Sequence, residues 1–124
     1  MSRRILIIDD EEDIRAVAAL SLETVAGWEV AVASCGAEGV VRAEHFQPEA
    51  ILLDVMMPGM DGRATFEALR MNPQTAPIPV VLLTAKTQTS ERQQLAGIGV
   101  NGVLMKPFDP LTLPGQIATI LGWS

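Results

Sequence analysis

Short apolar runs recur along the chain at residues 5–8, 30–33, 50–53, 78–83 and 103–105. Most are continuous rather than alternating and rich in Ile, Val and Leu, which suits strands buried on both faces, as in a parallel sheet. The run at 30–33 is the weakest. Between the runs the spacing changes to that of amphipathic helices. Over residues 9–25, Ile14, Val17, Ala18, Ser21, Leu22 and Val25 make an i, i+3, i+4, i+7 stripe, and Gly27 supplies a stop. Residues 37–46 repeat the pattern with Val40, Val41, Ala43 and Phe46 before Pro48. Residues 62–71 carry Ala64, Phe66 and Leu69 and are closed by Asn72-Pro73. Residues 90–98 read as a more polar helix anchored by Leu95 and Ile98. A last helix covers about residues 111–121, with Pro114 tolerated only near its start.

The order is therefore strand–helix repeated five times. Strict alternation predicts an α/β fold, a parallel sheet with helices on both faces, in one domain over residues 1–124. No internal repeat, low-complexity tract or linker interrupts it. In such sheets ligands sit at the carboxyl ends of the strands, where the strand order reverses.

That rim is where the polar residues collect. Asp9 and Asp10 follow the first strand, Asp54 the third, Thr84 the fourth and Lys106 the fifth. Three carboxylates in one cleft repel each other unless protons or a cation offset their charge. Oxygen donors with room for water suit Mg²⁺ or Mn²⁺, and no His or Cys pair lies near to suggest zinc. The inventory reads as a phosphoryl-transfer site. A carboxylate acts as nucleophile, a metal ion and a lysine neutralise the transferred group, and a hydroxyl binds one of its oxygens.

Composition narrows the rest. The 124 residues carry a formal net charge of −6, and five of the fifteen acids lie in the run Asp9 to Asp13. The basic residues are scattered, so direct nucleic-acid binding is not expected. The first apolar run stops at two aspartates, too short for a signal peptide or a membrane span, and the cytoplasm is the default location. The single cysteine, Cys35, forms no intrachain disulfide and reads as a small loop residue. His45 reads as a surface residue, and Trp28 and Trp123 as packing residues, with Trp123 a partner contact as the alternative. Glu11, Glu12 and Asp13 read as acids favoured at a helix start.

Four segments carry a resemblance. Ile7-Ile8-Asp9-Asp10-Glu11-Glu12, Leu53-Asp54-Val55-Met56-Met57-Pro58-Gly59-Met60-Asp61-Gly62, Leu83-Thr84-Ala85 and Lys106-Pro107-Phe108 stand in order, each after an apolar run. Together they resemble a CheY-like response regulator receiver domain over essentially the whole length. The resemblance implies a flavodoxin-like (βα)5 fold, a doubly wound five-stranded parallel sheet with strand order 2-1-3-4-5. It implies that Asp54 accepts a phosphoryl group from a histidine kinase or a histidine phosphotransfer protein. Asp10, Asp54 and the backbone carbonyl of Met56 would bind Mg²⁺, for which Mn²⁺ can substitute, with Asp9 assisting through a metal-bound water. Lys106 would pair with Asp54 and then with the phosphoryl group, Thr84 would be the switch hydroxyl, and the Lys106–Pro107 bond would be cis. The first helix, with Ala16, Ala19 and Leu20, resembles the kinase-docking surface. The domain would be a switch rather than a turnover enzyme, acting on a downstream protein or a fused output domain. A phosphorylation-dependent dimer is a further outcome the resemblance allows.

Two departures matter. Many receivers carry an aromatic residue three positions before the lysine, and here that residue is Val103, so the output coupling is expected to be muted or carried elsewhere. Met56 and Lys86 occupy positions the family uses to tune phosphoryl lifetime. Met56 cannot position an attacking water by hydrogen bonding, so slow self-dephosphorylation is expected. Three other readings remain beside this one. A haloacid-dehalogenase-type phosphatase needs a second Asp where Met56 stands. A pseudo-receiver, an interaction module that is never phosphorylated, usually loses an acid or the lysine, and none is lost here. A flavodoxin needs a phosphate-cradling first turn, where the acidic run would repel the ligand. No output domain follows the last helix, so the sequence fits a free-standing receiver or a piece of a longer protein.

Overall fold

The computed structural model describes residues 3–85 and 97–123. Its strands are β1 (Arg4–Ile8), β2 (Glu29–Ala33), β3 (Ala50–Asp54), β4 (Val80–Thr84) and β5 (Gly102–Met105). The helices among these residues are α1 (Glu12–Val25), α2 (Gly36–Phe46), α3 (Gly62–Met71) and α4 (Leu113–Leu121). All strand pairs are parallel and the sheet order is β2-β1-β3-β4-β5. The expected helix at residues 90–98 lies largely outside the described residues, as does Lys86.

Continuous apolar strands are explained by burial on both sides. Leu6 and Ile8 of β1, Ile51 and Leu53 of β3, and Val80 and Leu82 of β4 face one core with Ala43 of α2 and Phe66 and Leu69 of α3. The alternate residues Ile5, Ile7, Leu52, Val81 and Leu83 face the other, with Ala18 and Leu22 of α1 and Leu113 and Ile117 of α4. Each fully buried Leu or Ile contributes about 1.5–3 kcal/mol, so β1, β3 and β4 anchor the fold. β2 and β5 lie at the two edges and are less covered. No helix among the described residues is long and apolar enough to cross a membrane.

Element ends depart from the sequence pattern for local reasons. α1 begins at Glu12 rather than at Asp9, because the Asp9 side chain accepts the Glu11 N–H at 2.9 Å and turns the chain before the helix starts. β4 begins at Val80 rather than Ile78. Residues 72–78 form turns closed by Thr75 N–H to Asn72 O and Ile78 N–H to Thr75 O, and Pro79 has no N–H to offer a ladder. α4 begins at Leu113, with Pro114 in its first turn as expected. Gly27 takes a left-handed φ of 70° just past α1, the conformation glycine adopts at least cost. Trp28 and Trp123 meet edge to face with ring centroids 5.5 Å apart, and Arg3 lies 4.2 Å from the Trp123 centroid.

One glycine supports the end of β3 directly. A Cβ at Gly62 would lie 2.7 Å from the Asp54 carbonyl oxygen and 2.7 Å from the Val55 Cα, both backbone atoms that have little room to yield. The Gly62 N–H donates to Val55 O at 3.0 Å, which fixes α3 against the end of β3. Gly62→Ala is therefore expected to lower stability by about 1–3 kcal/mol through overpacking. Urea denaturation checks this, and a variant as stable as the parent contradicts the contact.

Candidate functional site

The acids expected from the sequence meet at the carboxyl end of the central strands. Asp9 directly follows β1, and its N–H donates to Ala33 O of β2 at 3.1 Å. Arg15, one turn into α1, donates to the Asp9 backbone carbonyl at 2.8 Å. Asp54 ends β3. Both carboxylates are buried, at 1 % and 2 % exposure, whereas Asp10 and Glu11 are exposed. One carboxylate oxygen from each of Asp9, Asp10, Glu11 and Asp54 can be chosen so that all lie within 4.8 Å of one another.

Lys106 is the cation among them. It follows β5, its N–H donates to Thr84 O at 2.8 Å, and the Lys106–Pro107 peptide is cis. Its side chain is only 12 % exposed, and Nζ lies 3.2 Å from Asp9 Oδ2, 3.2 Å from Asp54 Oδ1 and 3.1 Å from Glu11 Oε1. Thr84, the last residue of β4, is fully buried next to β3, where Asp54 is in register with Leu83. Met56 directs its backbone N–H to Asp54 Oδ1 at 3.3 Å while its side chain is exposed. The methionines of this loop divide accordingly, since Met57 is buried in the core.

The electrostatics are unbalanced. Burial, followed by the charge of Asp9, raises the Asp54 carboxyl from 3.8 to about 7, against the opposing pull of Lys106 and the Met56 N–H. Two buried carboxylates and the lost hydration thus outweigh one ammonium. Burial pulls Lys106 down, but the hydrogen bond to Glu11 and the charges of Asp54 and Asp9 push it up to about 12. Asp54 Oδ2 is buried with no hydrogen-bond partner among the described residues, and Asp9 Oδ2 has only its ion contact with Lys106. Oxygen atoms left so bare in a cleft rich in negative charge are what a hard divalent cation completes. The all-oxygen donor set fits Mg²⁺ or Mn²⁺, and no His or Cys belongs to the cluster.

Glu11 is the residue that sequence reasoning missed. It reads as a helix-start acid, and it does occupy the N-cap of α1, but it makes no side-chain cap bond and reaches Lys106 instead. The signal available was its place next to Asp9-Asp10, and what hid it was the turn geometry that decides where its side chain points. Val103 is partly buried against the α2–α3 side of the core, in register with Leu82. Cys35 is exposed at the N-cap of α2, and His45 is exposed on the same helix with its ring Nδ1 3.0 Å from Val41 O. On α1, Ala16 and Leu20 are exposed and Ala19 is partly buried.

Comparison with known proteins identifies the family and agrees with the fold. The chain is 38 % identical over 118 residues to the DNA-binding dual master transcriptional regulator RpaA of Synechocystis, covering 95 % of this chain and 48 % of that protein. The chain spans about half the length of the first curated relatives it matches. The chemotaxis protein CheY4 of Vibrio cholerae has a similar structure, with a TM-score of 0.88, 32 % identity and coverage of 97 % of this chain and 99 % of that one. The receiver domain of a Pseudomonas aeruginosa sensor histidine kinase, solved with a magnesium ion coordinated in its active-site cleft, superposes with a TM-score of 0.85 at 26 % identity, covering 98 % and 99 % of the two chains. The model of the response regulator receiver domain family matches residues 5–118, and the chain belongs to that family.

Proposed function

We propose that the whole chain, residues 1–124, is a phosphoacceptor switch of a two-component system. Asp54 takes a phosphoryl group from a phosphohistidine of a histidine kinase or histidine phosphotransfer protein. The observation that carries this reading is the state of Asp54. It is a buried carboxylate at the end of the central strand, 3.2 Å from Lys106, with one oxygen unpartnered among the described residues.

Asp10, Asp54 and the Met56 backbone carbonyl would hold Mg²⁺, or Mn²⁺ in its place, with Asp9 assisting through a water. When bound, the ion supplies charge neutralisation for carboxylate and phosphoryl oxygens alike. The chain's own residues do the rest. Asp54 is the nucleophile, and its attack on phosphorus breaks the bond to the donor nitrogen as an acyl phosphate forms. Lys106, fixed at the end of β5, offers ammonium protons to the phosphoryl oxygens in place of a carboxylate partner. Thr84 offers its hydroxyl from the neighbouring strand and so connects the phosphoryl group to β4 and β5. The exposed Met56 side chain offers no group to orient an attacking water, which favours a long-lived acyl phosphate.

The protein then acts by changing which partner it binds, a downstream protein or a fused output domain, in the cytoplasm and without catalytic turnover. Exposed Ala16 and Leu20 on α1, with partly buried Ala19, fit a docking surface for the phosphodonor. A phosphatase of the haloacid-dehalogenase type is disfavoured by Met56, which has no acid–base group two residues after the nucleophile. Borohydride reduction of protein treated with acetyl phosphate tests the assignment, because an acyl phosphate on aspartate is reduced to homoserine. Peptide mapping is expected to find homoserine at position 54. Homoserine at another aspartate, or none, contradicts the proposal.

A further inference from the structure

Lys106 is held by three carboxylates that are not held equally themselves. Its Nζ contacts Asp9 Oδ2 at 3.2 Å, Asp54 Oδ1 at 3.2 Å and Glu11 Oε1 at 3.1 Å. The contact with Glu11 is a hydrogen bond, whereas Asp9 Oδ2 has only its ion contact with the ammonium. Asp9 is buried and anchored twice, its Oδ1 accepting the Glu11 N–H and its backbone carbonyl accepting from Arg15. Asp54 is buried at the end of β3. The Glu11 side chain is 59 % exposed, makes no cap bond, and has Lys106 as its only partner among the described residues.

A phosphoryl group on Asp54 needs ammonium protons, and the carboxylates around Nζ compete with it for them. Releasing Asp9 would leave a buried carboxylate without its cation, which is costly. Releasing Glu11 returns an exposed carboxylate to water at little cost, because an ion pair with one exposed partner is worth little. We propose that Glu11 is a positioning residue that latches Lys106 in the unphosphorylated protein and cedes it to the phosphoryl group on Asp54. The inference rests on the receiver reading above. In transfer from acetyl phosphate, the bond between phosphorus and the acetate oxygen breaks and a bond from an Asp54 carboxylate oxygen to phosphorus forms. Acetate leaves with the electron pair and no proton moves. Lys106 only exchanges one acceptor for another, and the Glu11 carboxylate is the one that competes.

Glu11→Gln removes that competitor while keeping the side-chain length. Glu12→Gln, one residue further into α1 at an exposed position, removes the same charge without touching Lys106. The parent and both variants are compared for phosphorylation by acetyl phosphate at saturating Mg²⁺, followed by intact mass, so that any change in metal affinity does not enter. The lysine ε-ammonium nitrogen resonances of the unphosphorylated proteins are compared with those of the parent bound to beryllofluoride, a phosphoryl mimic. Glu11→Gln is expected to be phosphorylated about two- to fivefold faster, the scale of one exposed ion pair, and Glu12→Gln at the parent's rate. The Lys106 resonance in Glu11→Gln is expected to move toward its position in the beryllofluoride complex. A rate in Glu11→Gln equal to or below the parent's, or an unmoved resonance, overturns the latch. A parent protein that gains no phosphoryl group overturns the receiver reading and the latch with it, whereas a phosphorylated parent beside an unaccelerated Glu11→Gln overturns the latch alone.

Discussion

Asp54→Asn is expected to make the metal-free protein more stable at about pH 8, on the order of 2–4 kcal/mol, while abolishing phosphorylation. The cause is the raised carboxyl of Asp54, at about 7 in the folded protein against 3.8 ordinarily. The folded state binds the proton more tightly than the unfolded state, so this group's contribution is most favourable below about pH 4 and is lost as pH rises to about 7. That is the reverse of an aspartate depressed by a salt bridge. At about pH 8 the parent carries the full cost of the buried charge, and the neutral amide of the variant would carry none. Lys106 keeps Asp9 and Glu11 as partners in the variant. The difference should shrink toward pH 4–5, where the parent is protonated, and should shrink again when Mg²⁺ stabilises the parent at pH 8. Urea denaturation in chelator at two pH values checks the first, and the same measurement with Mg²⁺ checks the second. A variant less stable than the parent at about pH 8, or an advantage that grows in acid, contradicts the account.

Lys106→Met is expected to do the opposite, because it deletes the one cation that contacts these acids among the described residues and leaves a side chain of similar reach. Asp9 and Asp54 would remain buried without their counter-charge, and breaking a buried pair in this way typically costs about 3–5 kcal/mol. Mg²⁺ should restore much of that loss, and should bind the variant more tightly than the parent, since a positive charge 3.2 Å from two carboxylates no longer competes. Phosphorylation should nevertheless fall by about a hundredfold at saturating Mg²⁺, the scale of losing one fixed donor to a developing oxyanion. Tighter metal binding with slower phosphorylation is the diagnostic combination. A variant of parental stability in chelator, or one with weaker affinity for Mg²⁺, is inconsistent with Lys106 as the counter-ion.

The fold was legible because its strands are buried on two faces. The continuous run Ile5 to Ile8 suits a strand buried on both faces, as in a parallel sheet, and β1 is such a strand. The site was legible for the same reason, since a polar residue directly after such a run has to appear at the strand's carboxyl end. Asp9, Asp54, Thr84 and Lys106 do appear there. Less legible were features decided by local turns. Pattern alone starts α1 at Asp9, because Asp and Glu suit a first helical turn, but an Asp9 side chain that accepts a backbone N–H delays the helix to Glu12. The same turn sends Glu11 to Lys106, a contact between residues 95 positions apart that no periodicity encodes. Nor does the spacing reveal that Gly62 lies against the Asp54 carbonyl, which depends on how closely α3 approaches β3.

If an overcharged carboxylate cleft, completed by a divalent ion, makes Asp54 a phosphoryl acceptor, acetyl phosphate should modify the protein at that residue and only with Mg²⁺. Intact mass of the parent and of Asp54→Asn after incubation with acetyl phosphate, each with Mg²⁺ and with chelator, tests it most directly. The account predicts a gain of one phosphoryl group in the parent with Mg²⁺ and in none of the other three samples. A parent mass unchanged with Mg²⁺, or the same gain in Asp54→Asn, would contradict it.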